Sequence, residues 1–225
     1  MIKKSAPISS NSSLLTPNSS LIKVLIVEDH KSISDAFASE FCPENGFTVT
    51  GSITCAADAE NECRRTLPDV IIMDVCTEDG ASGLDAAEII LKEFPDVKIV
   101  VTSGFDEVTY MPRAQQLGAH AFVFKSKELA HFRETAKRVM DGEYVFPEPL
   151  TIPIPQGDAP FTDKEMEILR LMCNGMTGAQ IAEELQVSER TIKYHKANML
   201  AKTGFSSGTE LAFYIVSHGW INPHY

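Results

Sequence analysis

Apolar residues along this chain follow two rhythms. In the first, short unbroken runs end abruptly at acidic or hydroxyl-bearing residues. Residues 21–27 read Leu-Ile-Lys-Val-Leu-Ile-Val and stop at Glu28-Asp29. Similar runs occupy 47–52, 70–73, 98–102 and 121–124. A run of this length is what a strand buried on both faces of a parallel sheet requires. Between the runs lie segments of helical character at 32–41, 57–66, 84–94, 108–117 and 127–140. Strands alternating with helices predict a doubly wound α/β unit of (βα)5 type.

The second rhythm begins after a break. Residues 142–160 hold five prolines (147, 149, 153, 155 and 160) and no helical periodicity. Proline fixes φ and biases its predecessor toward extended backbone, so this stretch reads as a linker. Beyond it, Thr162 with Glu165 three residues on has the spacing of a capping box. Apolar Met166, Ile168, Leu169 and Met172 then follow at helical intervals up to Asn174-Gly175. Three more helices fit 178–185, 189–202 and 209–218, giving an all-α four-helix unit. Residues 1–20, rich in Ser and Asn, read as a flexible tail. The expected division is tail 1–20, α/β unit 21–140, linker 141–160 and helical unit 161–225.

Charge sharpens that division. The 225 residues carry a net −11, which argues against nucleic acid as a partner. Its distribution points the other way for the last segment. Residues 21–140 hold 12 basic and 20 acidic side chains, whereas 161–225 hold 6 and 7. Within 186–204, Arg190, Lys193, Lys196 and Lys202 face a single acid, Glu189. An acidic front and a small basic patch behind it predict two units with different partners. No window approaches the roughly 18 consecutive apolar residues of a membrane span, and residues 1–20 lack the apolar core of a secretory signal. The five cysteines form no Cys-x-x-Cys pair. Neither a disulfide framework nor a zinc site is indicated, and a reduced, cytoplasmic, soluble protein is expected.

In an open parallel sheet, functional residues gather at the carboxyl ends of strands, near the switch in strand order. Glu28-Asp29 stands at the end of the first predicted strand and Asp74 at the end of the third. Clustered carboxylates repel one another unless a hard cation neutralises them, and Mg²⁺ suits oxygen ligands completed by phosphate and water. Thr102 and Lys125, at two further strand ends, offer a hydroxyl and a positive charge to phosphoryl oxygens. Asp74 would then be a carboxylate nucleophile accepting a phosphoryl group in line.

Residues 22–140 resemble the receiver domain of bacterial two-component response regulators, through Glu28-Asp29-His30, Asp74, Thr102, Gly118-Ala119 and Lys125. The resemblance implies that Asp74 is the phosphoacceptor. It makes Asp29 a direct Mg²⁺ ligand, Glu28 a ligand through water, and the Cys76 backbone carbonyl the third protein ligand. Thr102 would bind the phosphoryl group and Lys125 would pair with it, while Phe122 occupies the position of the aromatic switch residue. One departure stands out. The family has a glycine eight residues past the phosphoacceptor, whereas here Gly83 is nine beyond Asp74, and Glu78-Asp79 add charge to the longer loop.

In the helical unit, Ile181, Ala182, Leu185, Val187, Ile192 and Met199 fit the inward faces of two helices joined by a tight turn, with Ser188 as N-cap. The second helix presents Arg190, Lys193, Tyr194, Lys196 and Ala197 outward, and such a helix fits the DNA major groove. Residues 161–221 resemble the LuxR-type helix-turn-helix domain, through Ser188-Glu189-Arg190-Thr191-Ile192-Lys193-Tyr194-His195 above all. By that resemblance Lys193, Tyr194 and Ala197 face bases, and Arg190, Thr191 and Lys202 lie near phosphates. Gly208 stands where the family often has an arginine.

Together the two resemblances imply a transcriptional response regulator. A sensor histidine kinase would phosphorylate Asp74, and a homodimer would bind inverted-repeat sites on double-stranded DNA. The receiver is expected to cover the recognition helix until activation releases it. An enzymatic role is not expected, because aspartyl-phosphate hydrolases carry Asp-x-Asp and Asp74-Val75-Cys76 lacks the second acid. The alternative is a DNA-binding regulator whose receiver works without phosphate, as an interaction module.

Overall fold

The structure is a computed structural model that describes residues 20–153 and 161–223. Nearly all of the expected tail, part of the expected linker (154–160) and residues 224–225 lie outside the described residues. The first unit is a five-stranded parallel sheet: β1 (Ile22–Val27), β2 (Phe47–Ile53), β3 (Val70–Asp74), β4 (Lys98–Ser103) and β5 (Ala121–Phe124). Strand order is β2-β1-β3-β4-β5, so the chain reverses direction across the sheet between β1 and β3. Helices α1 (Lys31–Glu40) and α5 (Leu129–Met140) cover one face. Helices α2 (Ala59–Thr66), α3 (Gly83–Glu93) and α4 (Tyr110–Gln116) cover the other.

The apolar runs explain this sandwich. Successive strand residues point to opposite faces, so a strand covered on both sides must be apolar at every position. Along β1, Leu25 and Val27 enter the α2–α3–α4 layer, while Val24 and Ile26 meet Phe37 of α1 and Phe132 of α5. The (βα)5 expectation holds, with boundary shifts of one to two residues at most helix ends.

Two shifts have physical causes. α4 begins at Tyr110, because Glu107 turns its carboxylate back to accept from the Thr109 and Tyr110 amides at 3.1 and 2.9 Å. That fixes Glu107 and Val108 as loop. The linker is also ordered at its start. Val145 pairs in parallel with Ala121, and the Phe122 amide donates to the Val145 carbonyl at 3.0 Å. β5 is an edge strand with unused backbone groups, and the chain leaving α5 covers part of that edge.

The second unit contains α6 (Asp163–Cys173), α7 (Gly178–Glu184), α8 (Glu189–Thr203) and α9 (Gly208–Ser217). The Thr162–Glu165 capping box forms as expected, and a second one, Thr177–Gln180, opens α7. Ile168, Leu169, Ile181, Ile192, Met199, Leu211 and Ile215 form its core. In the turn between α7 and α8, Gln186 adopts φ 52° and the Val187 amide donates to the Ala182 carbonyl at 2.9 Å, which closes α7 without a glycine.

The two units touch through the loop before α4. Val108 is buried with Ile168 and Met172 of the helical core, and its amide donates to the Trp220 carbonyl at 3.1 Å. Glu107 is buried at the same contact. Burial pushes its carboxyl up to about 7, against the bonds from Thr109 and Tyr110 and the attraction of Arg170. An acid raised in the folded state favours the fold when protonated, so this group weakens the fold as pH rises from about 4.5 through 7. Glu107→Gln should therefore gain up to roughly 3 kcal/mol over the parent chain at pH 8 and converge with it near pH 4. Urea unfolding at both pH values measures the difference.

Candidate functional site

β1 and β3 are neighbours whose following helices leave on opposite faces, which opens a crevice at their carboxyl ends. Glu28 and Asp29 follow β1, Asp74 ends β3, and Thr102 pairs with Asp74 in register on β4. Lys125 follows β5. Its ammonium lies 2.6 Å from Glu28 Oε2 and 2.8 Å from Asp74 Oδ2, with all three side chains largely buried. His30 folds back over the rim, its Nδ1 at 2.6 Å from Asp29 Oδ1 and 3.2 Å from Glu28 Oε1. One ligand atom from each of Glu28, Asp29, His30 and Asp74 lies within 4.8 Å of the others.

The electrostatics of this cluster are unbalanced. Burial pushes the Asp74 carboxyl up to about 6, and Glu28 and Asp29 push it the same way against the pull of Lys125. Burial opposes the charge on Lys125, but Asp74 and Glu28 outweigh it and hold the ammonium above its ordinary pKa. One cation serves two buried carboxylates, with Asp29 beside them. The Thr102 hydroxyl is fully buried at the same place and has no hydrogen-bond partner among the described residues. An orphaned buried hydroxyl costs free energy unless a ligand completes it. Oxygen donors short of positive charge fit a hard divalent cation, and the Thr102 hydroxyl with Lys125 fits a tetrahedral oxyanion.

The longer loop after Asp74 does not fill this crevice. Cys76 and Ser82 form an antiparallel bridge around a 3-10 turn at Glu78–Gly80, with Asp79 at φ 60° and Gly80 at φ 71°. The extra residue is taken up in that small hairpin. Glu78 accepts from the Thr54 hydroxyl and its amide donates to the Thr54 carbonyl at 3.2 Å, so it faces β2 rather than the carboxylates. Gly83 then begins α3 so close to the strand end that a Cβ there would lie 1.8 Å from the Asp74 carbonyl oxygen.

In the helical unit, Ser188 caps α8 by accepting from the Thr191 amide at 3.1 Å. Arg190, Lys193, Tyr194 and Ala197 are exposed along one side of α8, with Tyr194 63% accessible. Thr191 is half-buried beside the cap, where its hydroxyl meets that of Ser188 at 2.9 Å.

Both halves match family models. The model described as the response regulator receiver domain covers residues 24–137, about half of the chain. That of the luxR family of bacterial regulatory proteins covers 159–215. This chain belongs to the two-component response regulators with a LuxR-type DNA-binding domain. It is 30% identical over 201 residues to the transcriptional regulatory protein YvfU of Bacillus subtilis, covering 89% of this chain and all of that one. Response regulator GacA of Pseudomonas aeruginosa is 28% identical over 212 residues, covering 90% and 99%. Among solved structures, the RcsB response regulator of Salmonella typhimurium superposes with a TM-score of 0.57 at 21% identity, over 88% of this chain and all of the other. An RcsB–DNA complex superposes at 0.60, with 20% identity over 88% and 98%.

In this response regulator the predicted receiver residues Glu28, Asp29, Asp74 and Lys125 share one crevice, and Cys76 lines it too. Phe122 is buried edge-on against Phe124, with centroids 5.2 Å apart, and is joined to the linker through Val145. Lys202 departs from the picture of a cation free for phosphate: its ammonium lies 2.6 Å from the buried Glu165 carboxylate. The expected masking of the recognition helix is corrected outright. The receiver docks through Val108 on α6 and the 220–222 segment, which leaves Arg190, Lys193 and Tyr194 exposed. Sequence reasoning singled out His30 only within the Glu28-Asp29-His30 motif and gave it no place in the cluster, and it missed Asn222 at the edge of the crevice. Its place beside Glu28-Asp29 was the signal for that role; nothing local marks Asn222.

Removing the shared cation should be costly. Lys125→Met strands two buried carboxylates and should lose about 3–5 kcal/mol at pH 7.5 without divalent ions. Because the Asp74 pKa is raised, protonation below pH 6 relieves part of that loss. Thermal midpoints of both proteins from pH 7.5 to 5 should therefore converge.

Proposed function

We propose that Asp74 accepts a phosphoryl group from a sensor histidine kinase and that this modification controls DNA binding by the helical domain. The observation that carries the reading is the crevice itself: a buried carboxylate bonded to Lys125 beside the unpartnered Thr102 hydroxyl, with the buried Glu28 and the partly exposed Asp29 carboxylates alongside. We divide the chain accordingly into tail 1–20, receiver 21–140, linker 141–160 and DNA-binding domain 161–225.

In the reaction, an oxygen of Asp74 attacks phosphorus as the bond to the donor imidazole breaks, and the histidine leaves neutral after taking a proton. Asp29, Asp74 and the Cys76 carbonyl, with Glu28 through water, would hold Mg²⁺, which would supply charge neutralisation there. Lys125 passes its hydrogen bond from the Asp74 carboxylate to the incoming phosphoryl oxygens. Thr102 turns its hydroxyl to the same group and so gains the partner it lacks. Phe122 lies on the adjacent strand and carries that adjustment toward the linker that its amide holds. Asp74 is consumed once per event rather than recycled for a substrate, so the receiver is a switch and not an enzyme with turnover.

On DNA, Lys193, Tyr194 and Ala197 would reach base edges from the exposed side of α8, with Arg190, Thr191 and Lys202 at the phosphates. Lys202 can contribute only by loosening its pair with Glu165. A two-fold homodimer would read inverted half-sites. A chromosomal target implies the cytoplasm as working compartment; among the described residues no helix is long and apolar enough to cross a membrane.

Intact mass after incubation with Mg²⁺ and acetyl phosphate tests the reading. The parent chain should gain one phosphoryl group, and Asp74→Asn none. Failure of the folded parent chain to gain mass would favour a receiver that acts without phosphate. The modified form should bind an inverted-repeat promoter more tightly, and Lys193→Ala should weaken that binding by about 1–3 kcal/mol, as loss of a base contact does.

A further inference from the structure

We propose that Lys196, beside the bare backbone of Gly208, is a clamp for one DNA phosphate, carrying on α8 the charge that the family often places at position 208. The proposal rests on the reading of α8 as the DNA-contacting helix and adds a residue to it.

Lys196 does not share the exposed side of α8, which corrects its outward placing in the sequence pattern. It lies four residues after the buried Ile192 and three before the buried Met199, and it is itself half-buried. Its side chain lines a cavity of about 360 Å³ with Met172, Met176, Gly208, Thr209 and Ala212, none of them charged. Among the described residues its ammonium has no hydrogen-bond or ion-pair partner, and burial holds its pKa below the ordinary lysine value with no carboxylate to oppose it. Lys202, by contrast, is tied to Glu165. A half-buried cation without a counter-charge costs free energy that a bound anion returns. A position needed only for packing would be apolar, as Ile192 and Met199 are.

Two glycines leave room for the anion and place it. Gly208 begins α9 and borders the cavity, and a Cβ there would come within 2.9 Å of the terminal methyl of Met172. Gly178 begins α7, and a Cβ there would lie 3.9 Å from the Lys196 Nζ. The ammonium therefore stands over the first turn of α7. In a helix-turn-helix the second helix enters the major groove while the first crosses the sugar-phosphate backbone. A cation carried by the second helix and held at the start of the first sits where a phosphate passes. Contacts of this kind carry no sequence information, so the clamp sets affinity and register rather than base choice.

The test uses the full chain and the duplex that it selects from a random-sequence library, with Mg²⁺ and beryllofluoride constant in every sample. Affinity is followed by fluorescence anisotropy as monovalent salt rises from roughly 50 to 200 mM. Lys196→Met suits the apolar surroundings and should keep the parent's thermal midpoint or exceed it. It should weaken binding roughly tenfold per protomer near 0.1 M salt, lower the slope of log K against log salt by about 1 per protomer, and leave the preferred sequence unchanged. Lys196→Arg should keep the parent slope. Gly208→Arg added to Lys196→Met should restore it, because the Met172 methyl is the movable end of a flexible side chain. Lys193→Ala reports separately on α8. A folded Lys196→Met protein with the parent slope, or with an altered sequence preference, would overturn the clamp and leave the α8 reading standing wherever Lys193→Ala weakens binding. No duplex bound by the parent chain, or full binding by Lys193→Ala, would remove the α8 reading and the clamp with it.

Discussion

Two buried carboxylates share one ammonium. Glu28 and Asp74 both meet Lys125, at 2.6 and 2.8 Å, in a place largely closed to water. Burying ions costs several kcal/mol each, and a single cation cannot compensate two anions. Burial first, and the neighbouring Glu28 and Asp29 after it, push the Asp74 carboxyl up to about 6 against the pull of Lys125. A fold that only sought stability would place apolar residues here. The charge imbalance makes sense as a preparation for added positive charge and for a group that Lys125 and Thr102 can complete.

The sheet order makes that imbalance possible. β1, β3, β4 and β5 lie side by side, so four separate strand ends deliver their side chains to one crevice. The apolar strands hold these ends in register: Asp74 faces Thr102 across one ladder, and the Lys125 amide donates to the Ser103 carbonyl at 2.8 Å beyond the next. The same strand ends lead into the loops that touch the helical domain. A change at Asp74 therefore has a short covalent route, through β4 and Glu107–Val108, to the contact with α6 and Trp220.

Most of the fold was legible because burial on both faces writes itself as unbroken apolar runs, and because Thr162, Ser188 and Glu165 mark helix starts chemically. The crevice was legible for the same reason: Glu28-Asp29, Asp74, Thr102 and Lys125 each interrupt an apolar run at its end. Contacts between distant segments left no local mark. Val108 reads as helix by pattern, yet it serves the core of the other domain. Asn222 and Trp220 look like an ordinary chain end. Lys202 reads as a free basic residue, because its partner Glu165 lies 37 positions away and already has a visible role as a cap. The exposure of α8 was missed for a related reason: spacing reveals which face a helix can offer, but not which face of a domain its neighbour will cover.

The most direct test of the charge-deficient crevice is fluorine NMR of the full chain with Mg²⁺ and beryllofluoride, a mimic of an acyl phosphate. One protein-bound signal, saturating at one equivalent, should form in the parent chain. It should vanish when Mg²⁺ is chelated and be absent in Asp74→Asn. A bound signal that survives in Asp74→Asn, or that ignores chelation, would contradict the account.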